Sequence, residues 1–185
     1  RLLILFLTIS LNYNIIAQNK SISTVEQDKT INKLLPKAKK NKLNEKQIIS
    51  LTNSYHEANQ NDHQRIMELK KSGQPDIWIE IYHRTNNINN RQNKIKTLPE
   101  NFKTRMNFKQ LNLDSEIENS KEKAELYICA KSNLLLKNIN EENIKEVNHL
   151  VNQLTKINPQ SHNIDDLRLK LIILPSKQIL FRIAT

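Results

Sequence analysis

Apolar positions along the chain recur at helical spacing over most of its length. Asn44 and Gln47 are spaced as a reciprocal capping pair, and behind them Ile48, Ile49, Leu51, Tyr55 and Ala58 recur as one helical face. Residues 59–62 read as an interruption, after which Asp62 can cap a second helix through Ile66, Met67 and Leu69. Gly73, the chain's one glycine, stands where that helix would close in the left-handed conformation. Pro75 and Asp76 restart the chain into a helix bearing Ile77, Trp78, Ile81 and Tyr82. The pattern then weakens across an asparagine-rich loop.

A longer helix is predicted from Asp114 to Lys137, with Asp114, Glu116 and Glu118 near its start, where negative charge suits the helix dipole. Its partner is predicted from Glu141 to Ile157, stopped by Asn158 and Pro159. Ile164 to Ile173 begins a further helix that breaks at Pro175, and residues 178–184 read as extended, a candidate strand. The fold class expected is therefore all-α, built of antiparallel helical hairpins, with a strand beginning at the C-terminal end.

The N-terminal segment follows a different rule. Residues 2–11 are leucine, isoleucine and phenylalanine broken only by Thr8 and Ser10, with Arg1 in front and Ala17-Gln18 behind. That order of charge, apolar run and small-residue exit is that of a secretory signal peptide, assigned here to residues 1–17. The run falls short of the roughly 20 apolar residues a membrane helix needs. A buried N-terminal helix is the competing reading. No cysteine follows the run, so a lipoprotein attachment signal is absent and the mature chain is expected to begin near Gln18, with no membrane span. Residues 18–43 are read as a short helix through Val25, Ile31, Leu34 and Leu35, stopped at Pro36, followed by a basic, solvated linker. Residues 44–174 form the helical domain, and residues 175–185 the start of a further, β segment.

Ala124 to Pro159 resembles a degenerate tetratricopeptide repeat: Ser132 stands where the motif has a small residue, Leu135 where it has a large one, and Ile157-Asn158-Pro159 closes the unit. Lys131 and Val147 depart from the motif. Leu43 to Gly73 is similar in layout. The chain as a whole resembles the exported, repeat-like helical proteins of bacterial envelopes. That resemblance implies a scaffold or binding surface in the periplasm or at the outer membrane or cell surface, and no chemistry.

Composition adjusts this picture at a few points. One glycine and five prolines are too few for the turns of an all-β fold. The net charge of +10 comes from 22 lysines and 7 arginines in a chain that also holds 26 asparagines and 24 isoleucines. Asn, Lys and Ile share A/T-rich codons, and base or bidentate phosphate recognition favours arginine, so the charge argues against a nucleic-acid partner. Cys129 has no second cysteine to pair with and lies in an apolar helical stretch, which reads as a small core residue.

No constellation amounts to a catalytic centre. His56 and His63 are separated by the expected interruption, and His83 with Glu80 lacks a third ligand, so no metal site is expected. A nucleophile elbow or phosphate loop needs more glycine than Gly73 alone. Asp165-Asp166 and Glu141-Glu142 stand at helix starts, where capping explains them. Neither catalytic residues nor cofactors are assigned. Trp78 and Tyr82, sharing one helix face, are the candidate protein-binding pair, with core packing as their competing role. The expected function is an exported scaffold or binding module for a protein or peptide of the cell envelope. Its alternatives are an accessory domain of a larger envelope hydrolase and a weak polyanion binder acting through the basic linker.

Overall fold

A computed structural model describes the backbone of residues 24–183 and the side chains of residues 24–174. Every regular element in that span is an α-helix. In order they are α1 (24–39), α2 (Glu45–Ser72), α3 (Ile77–Lys96), α4 (Glu100–Arg105), α5 (Asp114–Leu135), α6 (Glu141–Ile157) and α7 (Asn163–Ile183). The fold is all-α. Residues 1–17, assigned above to a signal peptide, lie outside the described span.

Local chemistry explains where several helices start and stop. At the head of α2, Asn44 Oδ1 accepts from the Gln47 amide at 2.9 Å, and Gln47 Oε1 accepts from the Asn44 amide at 3.2 Å, a complete capping box. Gly73 follows α2 at φ +66°, the left-handed conformation its spacing calls for. Two asparagines do the same at helix ends that sequence spacing left unmarked. Asn41 has φ 53° and Asn107 φ 47°. After Asn41 the Lys42 amide reaches back to the Lys37 carbonyl at 2.9 Å, and after Asn107 the Phe108 amide reaches the Lys103 carbonyl at 2.9 Å. Each is the wide hydrogen bond of a Schellman ending, with asparagine in place of glycine. Asn140 caps α6, its side chain accepting from the Asn143 amide at 2.8 Å.

Four expectations about continuity are corrected. Helix α1 does not stop at Pro36 but runs to residue 39, and Ala38, beyond the proline, is wholly buried. Proline forfeits one helical hydrogen bond while keeping a helical φ, and Pro36 sits on the exposed side, where the freed carbonyl can be hydrated. Helix α2 runs unbroken through residues 59–62, and Asp62 is a buried mid-helix residue rather than a cap. Helix α3 crosses the asparagine-rich stretch because Ile81, Thr85, Ile88, Gln92 and Ile95 recur on one buried face that mixes apolar and polar side chains. The candidate strand at residues 178–184 is overturned: α7 passes through Pro175 and stays helical to Ile183.

The chain divides into two compact units. The first comprises the described residues of Arg1–Glu68 together with Arg84–Leu113. Its core joins Ile31, Leu34 and Leu35 of α1 and Leu51 and Tyr55 of α2 to Ile95 of α3, with Phe102 of α4 and Met106 just past it. The second unit comprises Leu69–His83 together with the described residues of Asp114–Thr185. There α5, α6 and α7 pack on one another around Ile128, Val147, Leu150, Leu154 and Leu167. Burying an aliphatic side chain of this size contributes about 1.5–3 kcal/mol before ordering costs are met.

Candidate functional site

Trp78 and Tyr82, one turn apart on α3, both lean half-buried on the core of the second unit. The Tyr82 hydroxyl donates to the Ile157 carbonyl at 3.1 Å, tying α3 to the last residue of α6. Lys123 of α5 places its Nζ 4.0 Å from the centre of the Trp78 ring, a cation–π contact. The pair thus spends its polar and aromatic capacity on its own unit, which is the behaviour of packing residues.

The polar side chains with the most partners also tie helices together. Arg91 of α3 is 2% exposed, and Asp62 of α2 is 1% exposed. The guanidinium donates through Nε and Nη2 to both carboxylate oxygens of Asp28 on α1, at 2.6 and 3.0 Å. Its Nη1 donates to Asp62 at 2.6 Å and to Asn59 at 3.2 Å. Arg84 donates to the other Asp62 oxygen at 2.8 Å. Burial works against the Arg91 charge, but the two carboxylates outweigh it and hold the guanidinium above its already high ordinary pKa. One arginine therefore clamps three helices of the first unit. Periodicity could not reveal it, because its partners lie 29 and 63 residues away in sequence.

Glu125 of α5 plays a related part in the second unit. Its carboxylate accepts from the Asn158 amide group at 2.8 Å, from that of Asn163 at 2.7 Å, and from the Ser161 hydroxyl. Burial pushes its pKa up, but these three donors, with the charge of His162, hold it below the usual carboxylate value. The result pins the α6–α7 connection onto α5.

The histidines do not converge. The His56 ring nitrogen Nε2 lies 2.8 Å from the Met106 carbonyl, which binds α2 to the turn after α4, while His63 is exposed two turns on. His83 packs edge-on against Tyr82, with ring centres 5.5 Å apart. Burial, then the nearby Lys156 charge, lowers its pKa. Among the described residues no group of three or more His, Cys, Asp or Glu could hold a metal ion. Cys129 is half-buried against the second core.

One surface feature escaped sequence reading. Helix α6 is cleanly amphipathic, but α5 and α7 carry large apolar side chains outside the core as well as within it. On α5, Leu126 and Leu134 are 69% and 60% exposed, with exposed Ala130 between them. On α7, Leu169 is 55% exposed and Ile173 39%. Lys170 Nζ reaches Asn133 Oδ1 at 2.9 Å, so these rows flank the contact between α5 and α7. On α5 the apolar residues exceed one stripe, since Leu126 and Leu134 lie outside the buried face of Ala124, Ile128 and Ser132.

No family model matches the chain, and neither a curated protein nor a solved structure matches it. No helix among the described residues is long and apolar enough to cross a membrane.

Proposed function

We propose that the chain is an exported helical scaffold of the bacterial envelope that holds an amphipathic helix of another envelope protein or peptide and performs no chemistry of its own. The observation that carries the reading is the exposed apolar face of α5 and α7. Leu126, Ala130 and Leu134 are spaced by four residues, the ridge that a second helix packs across. A helix with an apolar ridge on its outer side as well as an apolar inner face can seat a further helical layer. The tetratricopeptide-like layout of Ala124 to Pro159 supports the same kind of occupant, and the apolar run of residues 2–11 supports export. Trp78 and Tyr82 act as the packing base of this surface rather than its contact residues.

The test is in-cell crosslinking of the full chain, tagged at its C-terminus, with mass spectrometry of bait and partners. A bait beginning near Gln18, crosslinked to an envelope partner and losing it in the Leu126→Asp, Leu134→Asp double variant, is the expected result. Bait retaining residues 1–17 in the cytoplasm overturns export. Unchanged capture by a double variant that keeps its helical circular dichroism overturns the docking face.

A further inference from the structure

The net charge of +10 is concentrated rather than spread. Residues 29–46 hold seven lysines against Glu45, and residues 94–109 hold four lysines and Arg105 against Glu100. Outside those two segments basic and acidic residues balance, seventeen of each. The fold brings the two segments to the same end of the first unit. Leu34, Leu35 and Ala38 from one share a core with Ile95, Leu98, Phe102 and Met106 from the other. Lys94 Nζ meets Asn32 Oδ1 at 2.8 Å, and Arg105 pairs with Glu45. Lys33 and Lys37 of α1 and Lys40 in the turn after it are exposed, and Lys42, Lys46 and Lys96 are exposed beside the same core.

We propose that this basic pole docks on the surface of an anionic lipid bilayer. Its chemistry favours that partner over a nucleic acid. Eleven of the twelve cations are lysines, strongly hydrated point charges, and the one arginine is engaged by Glu45. Base edges and phosphodiesters are read best by arginine forks, and single strands stack on exposed aromatic rings. The aromatic side chains here, Tyr55, Phe102 and Phe108, turn into the core instead. A layer of anionic headgroups asks only for many lysines on one side, each adding separately to the attraction. Ile49, 53% exposed one turn beyond Lys46, offers an apolar contact at the headgroup level. The surface lies in the other unit from the apolar face of α5 and α7, so either proposal can fail alone.

The experiment is cosedimentation of the full chain with vesicles of pure phosphatidylcholine and of equimolar phosphatidylglycerol and phosphatidylcholine. Strong preference for the anionic vesicles, weakening steeply with added salt, is expected. Each lysine contributes about fivefold, so Lys33→Gln, Lys37→Gln and Lys40→Gln together should cost about a hundredfold. That triple variant keeps the apolar residues 2–11 and so controls for any binding they cause. Equal binding to both vesicles, or an unchanged triple variant, overturns the proposal. So does release of the protein by a duplex oligonucleotide at lower concentration than anionic vesicles require, which would make nucleic acid the better partner.

Discussion

In the first unit α1, α2 and α3 meet around a buried guanidinium. In the second, α5, α6 and α7 meet around aliphatic side chains, and among the described residues no charged group there is as deeply buried. The units divide the charge as unequally: among the described residues the first holds fifteen cationic residues against seven anionic, and the second twelve of each. Aliphatic packing is forgiving, since neighbours relax toward a lost methyl group. A buried ion network is not, because removing one member strands the others in a medium that cannot solvate them. The first unit's register should therefore hang on a few residues, whereas the second unit's stability is spread over many.

The sharpest way to break the comparison is Arg91→Ala. It leaves Asp62 buried with Arg84 as its remaining arginine partner and should destabilise the first unit by about 4 kcal/mol. Hydrogen exchange should show that protection is lost in α1 and the middle of α2 while α6 keeps its own. Equal loss in both units would mean the network is not confined to the first. Arg91→Met with Asp62→Leu should recover part of the stability, because the two most deeply buried charges go together, while the more exposed Asp28 and Arg84 each lose one partner.

Leu154→Ala, at a fully buried position of α6, comes next, at about 3 kcal/mol from lost burial and the cavity left behind. A smaller effect attends Glu125. Glu125→Ala strands three donors and should cost about 1–2 kcal/mol, read from thermal melts. Because the folded pKa of Glu125 is depressed, its contribution is present above the unfolded value of about 4.3 and is lost as pH falls through the lower folded value. The difference between wild type and Glu125→Gln should therefore shrink as the medium is acidified through that window. A difference that stays constant would show that the carboxylate is not what holds the α6–α7 connection. Asn140→Ala, removing the α6 cap, should cost least, about 1 kcal/mol.

The two units also differed in how legible they were. Helix α6 could be bounded at Glu141 and Ile157 from sequence because its apolar stripe is clean, Asn140 can cap it and Asn158-Pro159 ends it. These signals are local. In the first unit the deciding contacts are not. The stretch around Asp62 looks like a loop until Arg91, far away in sequence, is seen to neutralise it, and the buried face of α3 includes Thr85, Arg91 and Gln92, which a hydropathy pattern counts as solvent-facing. Pro36 misled for a related reason: tertiary packing such as that of Ala38 outweighs the loss of one helical hydrogen bond. Trp78 and Tyr82 could be picked out as a pair from spacing alone. The lysines around α1 and near α4 were visible singly, but only the fold shows that they share one pole.

Cys129 carries a consequence of its own. Half-buried against the second core, its thiol is pushed above its ordinary pKa first by that burial and then by Glu125, with Lys170 opposing and Asp166 adding to the rise. At neutral pH little thiolate forms, and the thiolate is the species that attacks disulfides and is readily oxidised. In an oxidising compartment the chain would thus carry its one sulfhydryl in a protected form. It would be slow to form mixed disulfides and slow to take up an alkylating label until the second unit opens.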